Sequence, residues 1–203
     1  MTSAGPATPA KLHLIFIRHG ETDWNVEGRL QGQRDIPLND NGRAQARRND
    51  AAIRAAMPEA AGFDFIASPL SRSRETVEIV RAAMGLPAAG YATDDRLKEL
   101  TFGAWEGFTD ADLRTAVEPE LIAARAKDKW AFLPPGGESY RVLSERVADW
   151  LHGIVRPTLT VSHGGVGRVL RRMILDLDAV AAISTSFPQD RVLVFEEGRE
   201  KWI

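Results

Sequence analysis

The chain has 203 residues, 44% of them hydrophobic and 27% charged, with a net charge of −2, so it is an ordinary soluble globular composition, long enough to bury a core. The near-neutral balance gives no global reason to expect a nucleic acid or an anionic membrane as partner. No stretch approaches the roughly 18 uninterrupted apolar residues of a membrane span, and the absence of cysteine removes disulfides, thiolate metal sites and cysteine nucleophiles together.

Residues 1–10, "MTSAGPATPA", lack the charged and apolar regions of a secretory signal. They are expected to form a flexible tail on a single domain covering 1–203, located in the cytoplasm. The first apolar run, 12–17, reads as a strand and ends in Arg18-His19-Gly20. A polar, glycine-bearing loop leads to a helix over 41–56, stopped by Pro58. "FDFIAS" (63–68) is a second strand, and Ser68 is placed to cap the helix after it. Leu70, Val77, Val80 and Met84 share one face of that helix, and Gly85 stops it. Residues 105–133 are helical and charged and could form a small lobe. "PPGGES" (134–139) breaks the chain before a helix over 139–155. "TLTVS" (158–162) is a third strand, running into "HGGVGRVLRRMILDL", where Val166, Val169, Leu170, Met173, Ile174 and Leu177 keep helical spacing. "RVLVFEE" (191–197) is a late strand that could form an edge. Strands alternating with helices indicate an α/β fold. The expectation is a three-layer sandwich: a mostly parallel central sheet flanked by helices, with a small helical lobe over the site.

Three strand ends carry polar residues leading into a loop or helix: Arg18-His19, the stretch from Ser68 to Arg74, and His163-Gly164-Gly165. In open α/β sheets the ligand crevice lies outside the carboxyl ends of the strands. Helix N-termini there present free N–H groups that attract anions. Arg18, His19, Arg72 or Arg74, and His163 could therefore converge on one anion. Arginine makes up 21 of the 26 basic residues; base composition explains much of that, yet its fork also suits phosphate. Taken singly, each residue has a structural reading. Arg72 and Arg74 stand at ion-pair spacing from Glu75 and Glu78, and His13 and His152 have no other reading. The convergence favours function, because the chain has only four histidines.

"RHGET", "WN" at 24–25, "GRLQGQRDIPL" at 28–38, "SPLSRSRET" at 68–76, "LKELTFGAWEG" at 97–107, "PGGES" at 135–139 and "SHGG" at 162–165 occur in order across most of the chain. This succession resembles the histidine phosphatase superfamily, the phosphoglycerate mutase-like proteins, and within it the phosphatase branch. The resemblance implies that His19 is a nucleophile forming a phosphohistidine. It implies that Arg18, Arg72 and His163 hold the transferring phosphoryl group, with Asn25 and Gly164 as further contacts, and that Glu99 donates the proton. It selects Arg72 over Arg74, which spacing alone leaves open. Glu106 and Glu138-Ser139 match family positions and read as structural or pocket-lining, and residues 108–133 are expected to line the substrate entrance.

Physical chemistry supports these roles. An attacking imidazole must be neutral, and neighbouring cations oppose its protonation. A hydrogen bond from its other ring nitrogen to a loop carbonyl would fix the tautomer. Charge spreading over three phosphoryl oxygens must meet fixed donors, which two arginines, a histidine and a helix N-terminus supply without metal or cofactor. A carboxyl beside a phosphate dianion keeps its proton more readily, as a general acid needs. The expected partner is a small-molecule phosphomonoester; the oligomeric state stays open, a homodimer included. Rival readings are mutase-type phosphoryl transfer and a non-catalytic phospholigand-binding module, which would need neither nucleophile nor acid. A metal site from His19, His163 and Glu99 fails because Arg18 and Arg72 repel a cation. A nucleotide loop at "GGVGR" lacks both the third glycine and the P-loop lysine.

Overall fold

The computed structural model describes residues 12–203, and the tail expected over 1–10 lies outside them. In chain order the elements are β1 (His13–Arg18), α1 (Asp23–Val26), α2 (Asp40–Ala56), β2 (Asp64–Ala67), α3 (Ser71–Ala83) and β3 (Ala92–Thr93). There follow α4 (Asp110–Ala116), α5 (Pro119–Lys127), α6 (Tyr140–His152), β4 (Thr158–Ser162), α7 (Gly164–Leu175), α8 (Ala179–Ser184), β5 (Val192–Glu196) and β6 (Arg199–Trp202).

Alternate side chains of β1 divide the core, as the two-residue period of a strand requires. Leu14 and Phe16 meet Leu143, Val147 and Trp150 of α6 and Val166, Val169 and Leu170 of α7. Ile15 and Ile17 meet Ile53 of α2 and Val77 and Val80 of α3 on the opposite face. The result is the expected three-layer α/β sandwich. The six strands lie in the order β3-β2-β4-β1-β5-β6. The pairs β1/β4, β2/β4 and β2/β3 are parallel, and β5 and β6 join antiparallel.

This topology sets the site. From β1 the chain crosses to β2 by way of α2, and from β4 it crosses to β5 by way of α7 on the other face. The carboxyl ends of the neighbouring strands β1 and β4 are therefore a switch point, where a crevice opens. Their register pairs Arg18 with Ser162, so His19 and His163 emerge side by side.

Four expectations are corrected. Ser68 does not cap α3: that helix starts at Ser71 with Leu70 as its N-cap and no side-chain cap, because the Ser68 hydroxyl is turned toward His163. The strand expected over 191–197 is not an edge. Glu197 and Gly198 take positive φ of 50° and 72° and fold the chain back as β6, which becomes the charged edge. Leu177 falls outside α7, which stops where Asp176 turns left-handed at φ 52°. The helix expected over 139–155 is shorter, running from its Ser139 cap to His152. The two-residue strand β3 went unforeseen. The stretch 105–133 resolves into α4 and α5 with turns around them. Among the described residues, no helix is long and apolar enough to cross a membrane.

Candidate active site

His19 follows β1 directly, and the chain clamps its backbone from two sides. Its N–H donates to the Ser162 carbonyl at 2.9 Å, and its carbonyl accepts from Gln189 Nε2 at 3.0 Å. The imidazole is buried, with Nδ1 2.7 Å from the Gly20 carbonyl oxygen. A carbonyl can only accept, so Nδ1 carries the proton and Nε2 presents a lone pair. Burial, then Arg72 and Arg18, holds this imidazole well below its ordinary pKa, against the opposing pull of the Gly20 bond. His19 is neutral near pH 7. The loop it begins is anchored to α3, since Gly20 N–H donates to Thr76 Oγ1 at 3.1 Å and Thr76 Oγ1 donates to the Arg72 carbonyl at 2.7 Å.

Two guanidinium groups flank it, each gripped by backbone carbonyls. Arg18 Nη1 donates to Phe187 O at 2.6 Å. Arg72 Nη1 and Nη2 donate to Arg34 O at 2.7 Å and Gly32 O at 2.9 Å. Burial lowers both to about 10, with Arg168 adding to the effect at Arg18 and Glu99 opposing it at Arg72. Both remain charged at neutral pH. The structure thus places Arg72 in the site, while Arg74 lies exposed beside Tyr91. In both Arg18 and Arg72, Nε is buried and has no hydrogen-bond partner among the described residues.

His163 is the N-cap of α7, its ring centroid 5.1 Å from that of His19. Its Nε2 lies 2.8 Å from Ser68 Oγ, and its buried Nδ1 has no partner among the described residues. Burial, then Arg72, His19 and Arg18, keeps this imidazole neutral as well. Asn25 is oriented by its oxygen. Oδ1 accepts from Thr22 N–H at 3.1 Å, Thr22 Oγ1 at 3.1 Å and Gln189 Nε2 at 3.0 Å. Its amide nitrogen is left as the end that can serve a ligand, as a donor.

Glu99 sits at the start of α7. Its Oε2 accepts from Gly165 N–H at 3.0 Å and its Oε1 from Leu100 N–H at 3.1 Å. A Cβ at Gly165 would fall 2.2 Å from Glu99 Oε1, so this carboxylate requires glycine there. Gln33 Nε2 and Arg146 Nη2 both hold the Glu99 carbonyl, each at 3.1 Å. The backbone of Gly164 lies against Arg18: a Cβ there would stand 3.6 Å from Arg18 Nε. Arg18, His19, Arg72, His163 and Gly164 are therefore gathered at the ends of β1 and β4 and the starts of α3 and α7, with Asn25 brought up by α1 and Glu99 by the loop after β3.

Glu106 and Glu138 have the structural parts expected. Glu106 Oε1 accepts from Gln33 N–H and Thr101 Oγ1, bracing the loop whose carbonyls hold Arg72. Glu138 pairs with Arg146 at 2.9 Å, and Ser139 caps α6. His13 packs edge-on against Phe63 at the far end of β1, and His152 is exposed at the end of α6. Sequence reasoning missed Ser68 as the partner of His163, along with Thr76, Arg146, Arg168 and Gln189. The second glycine of "SHGG", Gly165, is where the Glu99 carboxylate makes its close approach. For Gln189, in a loop 170 positions from His19, no local signal existed. Beside the cluster lies a cavity of about 240 Å³, with Leu100, Trp105, Phe132, Tyr140 and Arg168 among its lining residues. Asp110 of α4 and Arg125 of α5 also line it, with Lys129 and Phe132 from the turns that follow.

A sequence model of the histidine phosphatase superfamily (branch 1) matches residues 14–203. A glucosyl-3-phosphoglycerate phosphatase of Mycolicibacterium vanbaalenii is 31% identical over 81% of this chain and 74% of its own. A 2,3-bisphosphoglycerate-dependent phosphoglycerate mutase of Azorhizobium caulinodans is 33% identical over 77% of this chain and 78% of its own. Among solved structures, a mycobacterial glucosyl-3-phosphoglycerate phosphatase in complex with VO3 superimposes with a TM-score of 0.74 at 28% identity, covering 90% of this chain and 91% of that one.

Proposed function

The chain belongs to the histidine phosphatase superfamily (branch 1), and from that premise we propose that it hydrolyses phosphomonoesters of small cytoplasmic metabolites through a phosphohistidine on His19, without a metal ion. The observation that carries this reading is a set of three buried nitrogens without partners among the described residues, Arg18 Nε, Arg72 Nε and His163 Nδ1, on the side chains around one neutral imidazole. A buried polar group left unpaired is costly, and an anion with several oxygens satisfies all three together.

In the first step His19 Nε2 attacks phosphorus, forming the P–N bond as the ester P–O bond breaks. Arg18, Arg72, His163 and the Asn25 amide hold the phosphoryl oxygens, with Gly164 and the positive end of α7 adding to the field. Glu99 gives its proton to the departing alkoxide, so alcohol leaves. In the second step Glu99 takes a proton from water as that water attacks phosphorus, the P–N bond breaks, and inorganic phosphate and neutral His19 are restored. Fixed guanidinium charge does here what metal ions do at many phosphoryl-transfer sites.

Rapid quench with a labelled phosphomonoester, run in chelator, tests this. An acid-labile, base-stable adduct on His19 is expected, and His19→Ala should lose it with a fall in rate on the order of 10⁴-fold or more. Label on a serine, or activity abolished by chelator and restored by Mg²⁺, would overturn the assignment. Glucosyl-3-phosphoglycerate and the phosphoglycerates, compounds named for the relatives above, are the first to assay. Return of label to a second substrate hydroxyl, in place of release to water, would make the enzyme a mutase.

A further inference from the structure

A neutral imidazole carries its proton on one of two nitrogens, and only that nitrogen can donate to a phosphoryl oxygen. In His163 the two nitrogens have different company. Nε2 faces two serine hydroxyls, Ser68 Oγ at 2.8 Å and Ser73 Oγ at 3.5 Å, while Nδ1 is buried without a partner among the described residues. Ser68, Ser73 and His163 are all fully buried, so each proton among them must find its acceptor inside the protein.

The hydroxyls decide where the imidazole proton sits. Ser68 Oγ accepts from the Leu70 N–H at 3.4 Å, and its own proton has one acceptor among the described residues, His163 Nε2. The Ser73 hydroxyl has no other acceptor there either. With the proton on Nε2, both hydroxyls could only accept, and two buried O–H donors would be left unpaired at a cost. With a lone pair on Nε2, the Ser68 hydroxyl donates to it across 2.8 Å, an ordinary hydrogen-bond length. A doubly protonated ring fails on the same count, in agreement with the burial and the neighbours Arg72, His19 and Arg18 that oppose it. The contact is also held in place. Ser68 follows β2 with its N–H on the Val161 carbonyl of β4 at 2.9 Å, and His163 leaves β4 as the N-cap of α7. Two residues 95 positions apart are thus set by paired strands.

The structure assigns to Ser68 the part of a positioning residue: its hydroxyl, donating to His163 Nε2, fixes the imidazole proton on Nδ1 and makes a neutral second histidine a donor to a phosphoryl oxygen. Nδ1–H then joins the Nε–H groups of Arg18 and Arg72, so all three unpartnered nitrogens are donors, as one oxyanion requires. The assignment also divides labour with Glu99. A neutral imidazole N–H is far too weak an acid to release its proton near neutrality, so His163 holds an oxygen while Glu99 supplies the proton. What the donor is used for rests on the phosphatase reading; the tautomer belongs to the resting protein and is read without turnover.

The experiment is imidazole nitrogen NMR on the whole protein carrying nitrogen-15 histidine at pH 7.5, with His163→Gln identifying the His163 resonances. A protonated Nδ1 and a lone-pair Nε2 are expected in the unaltered protein, both free and with tungstate bound. A protonated Nε2 in the free protein would overturn the inference. Calorimetry with tungstate then reads the part played by Ser68. Ser68→Ala should mix the two tautomers and weaken tungstate about fivefold, the worth of one hydrogen bond. In a His163→Ala background the same change should alter affinity by less than about twofold, because its route to the anion is gone. Equal weakening in both backgrounds, or an unmixed tautomer in Ser68→Ala, would make Ser68 a packing residue only and overturn its role. Failure of the phosphatase reading shows elsewhere, as the assigned tautomer and bound tungstate in a protein that hydrolyses no phosphomonoester.

Discussion

The strand-tip site and the α4–α5 segment border neighbouring parts of one crevice but are built in opposite ways. At the strand tips nearly every polar group is tied to a distant part of the chain. Arg18 reaches Phe187, His19 is held by Gln189, and His163 meets Ser68. The helix behind them, α7, buries seven residues. By contrast, α5 buries none and α4 only Leu113. Their ties are mostly local, such as the Thr109–Asp112 capping box and the Asp110–Arg125 pair. Under the proposed function, the groups that would hold phosphorus are backed by the stability of the whole fold, and those that would meet the leaving alcohol stand on a segment that can open by itself.

Glu99 is the largest test of that contrast. It contacts both worlds, with its carboxylate at the start of α7 and its neighbour Leu100 lining the cavity. Glu99→Gln keeps the shape and removes the proton, so hydrolysis of an alkyl phosphate should fall about 10²–10⁴-fold with affinity for vanadate retained. An aryl phosphate with a good leaving group should lose less in the phosphorylation step. Equal losses for both, with phosphorylation rate-limiting in each, would move the proton donor elsewhere, His163 being next in line.

The same contrast explains what was legible in the sequence. Arg18, His19, Glu99 and His163 stand where a strand or loop delivers them to the crevice, so local pattern and motif order exposed them. The α/β layering followed from the alternation of apolar runs. What stayed hidden was contact across long separations: Gln189 on His19, Arg146 on the Glu99 carbonyl, Arg168 beside Arg18. Ser68 was misread because a serine before a helix looks like a cap, and only the fold shows its hydroxyl claimed by His163. The edge strand β6 was missed although Glu197-Gly198 is a hairpin signal, since four residues, "REKW", carry too little apolar pattern to declare a strand.

Acid provides the second test. Burial and neighbouring cations hold His19 and His163 well below 6.5 in the folded protein. As pH falls through about 6.5, the unfolded chain takes up protons there that the folded chain refuses. Stability is therefore complete above that pH and is lost below it, by up to about 2.7 kcal/mol per pH unit for two such groups. Urea unfolding at pH 7.5 and 5.5 should show the loss, and the doubly substituted His19→Ala, His163→Ala protein should show a flatter dependence. Hydrogen exchange in α5, which carries no histidine, should not follow this trend. If it does, the segment is coupled to the strand tips and the contrast drawn above fails.

The smallest effect belongs to α5 itself. Ala124 is exposed within that helix, and Ala124→Gly costs an isolated stretch of helix about 1 kcal/mol. Because α5 buries no side chain, that cost should appear as faster local opening, with the thermal midpoint of the whole protein nearly unmoved. A binding wall that is closed a smaller fraction of the time weakens apparent affinity by that fraction. KM should therefore rise, by at most about fivefold, the factor that 1 kcal/mol allows, while the rate of His19 phosphorylation at saturating substrate holds steady. A fall in the midpoint as large as that from truncating core Leu143, where a buried leucine lost costs about 2–5 kcal/mol, would show that α5 shares the stability of the sheet. The segment would then be a fixed wall, and selectivity for the leaving group would come from its shape.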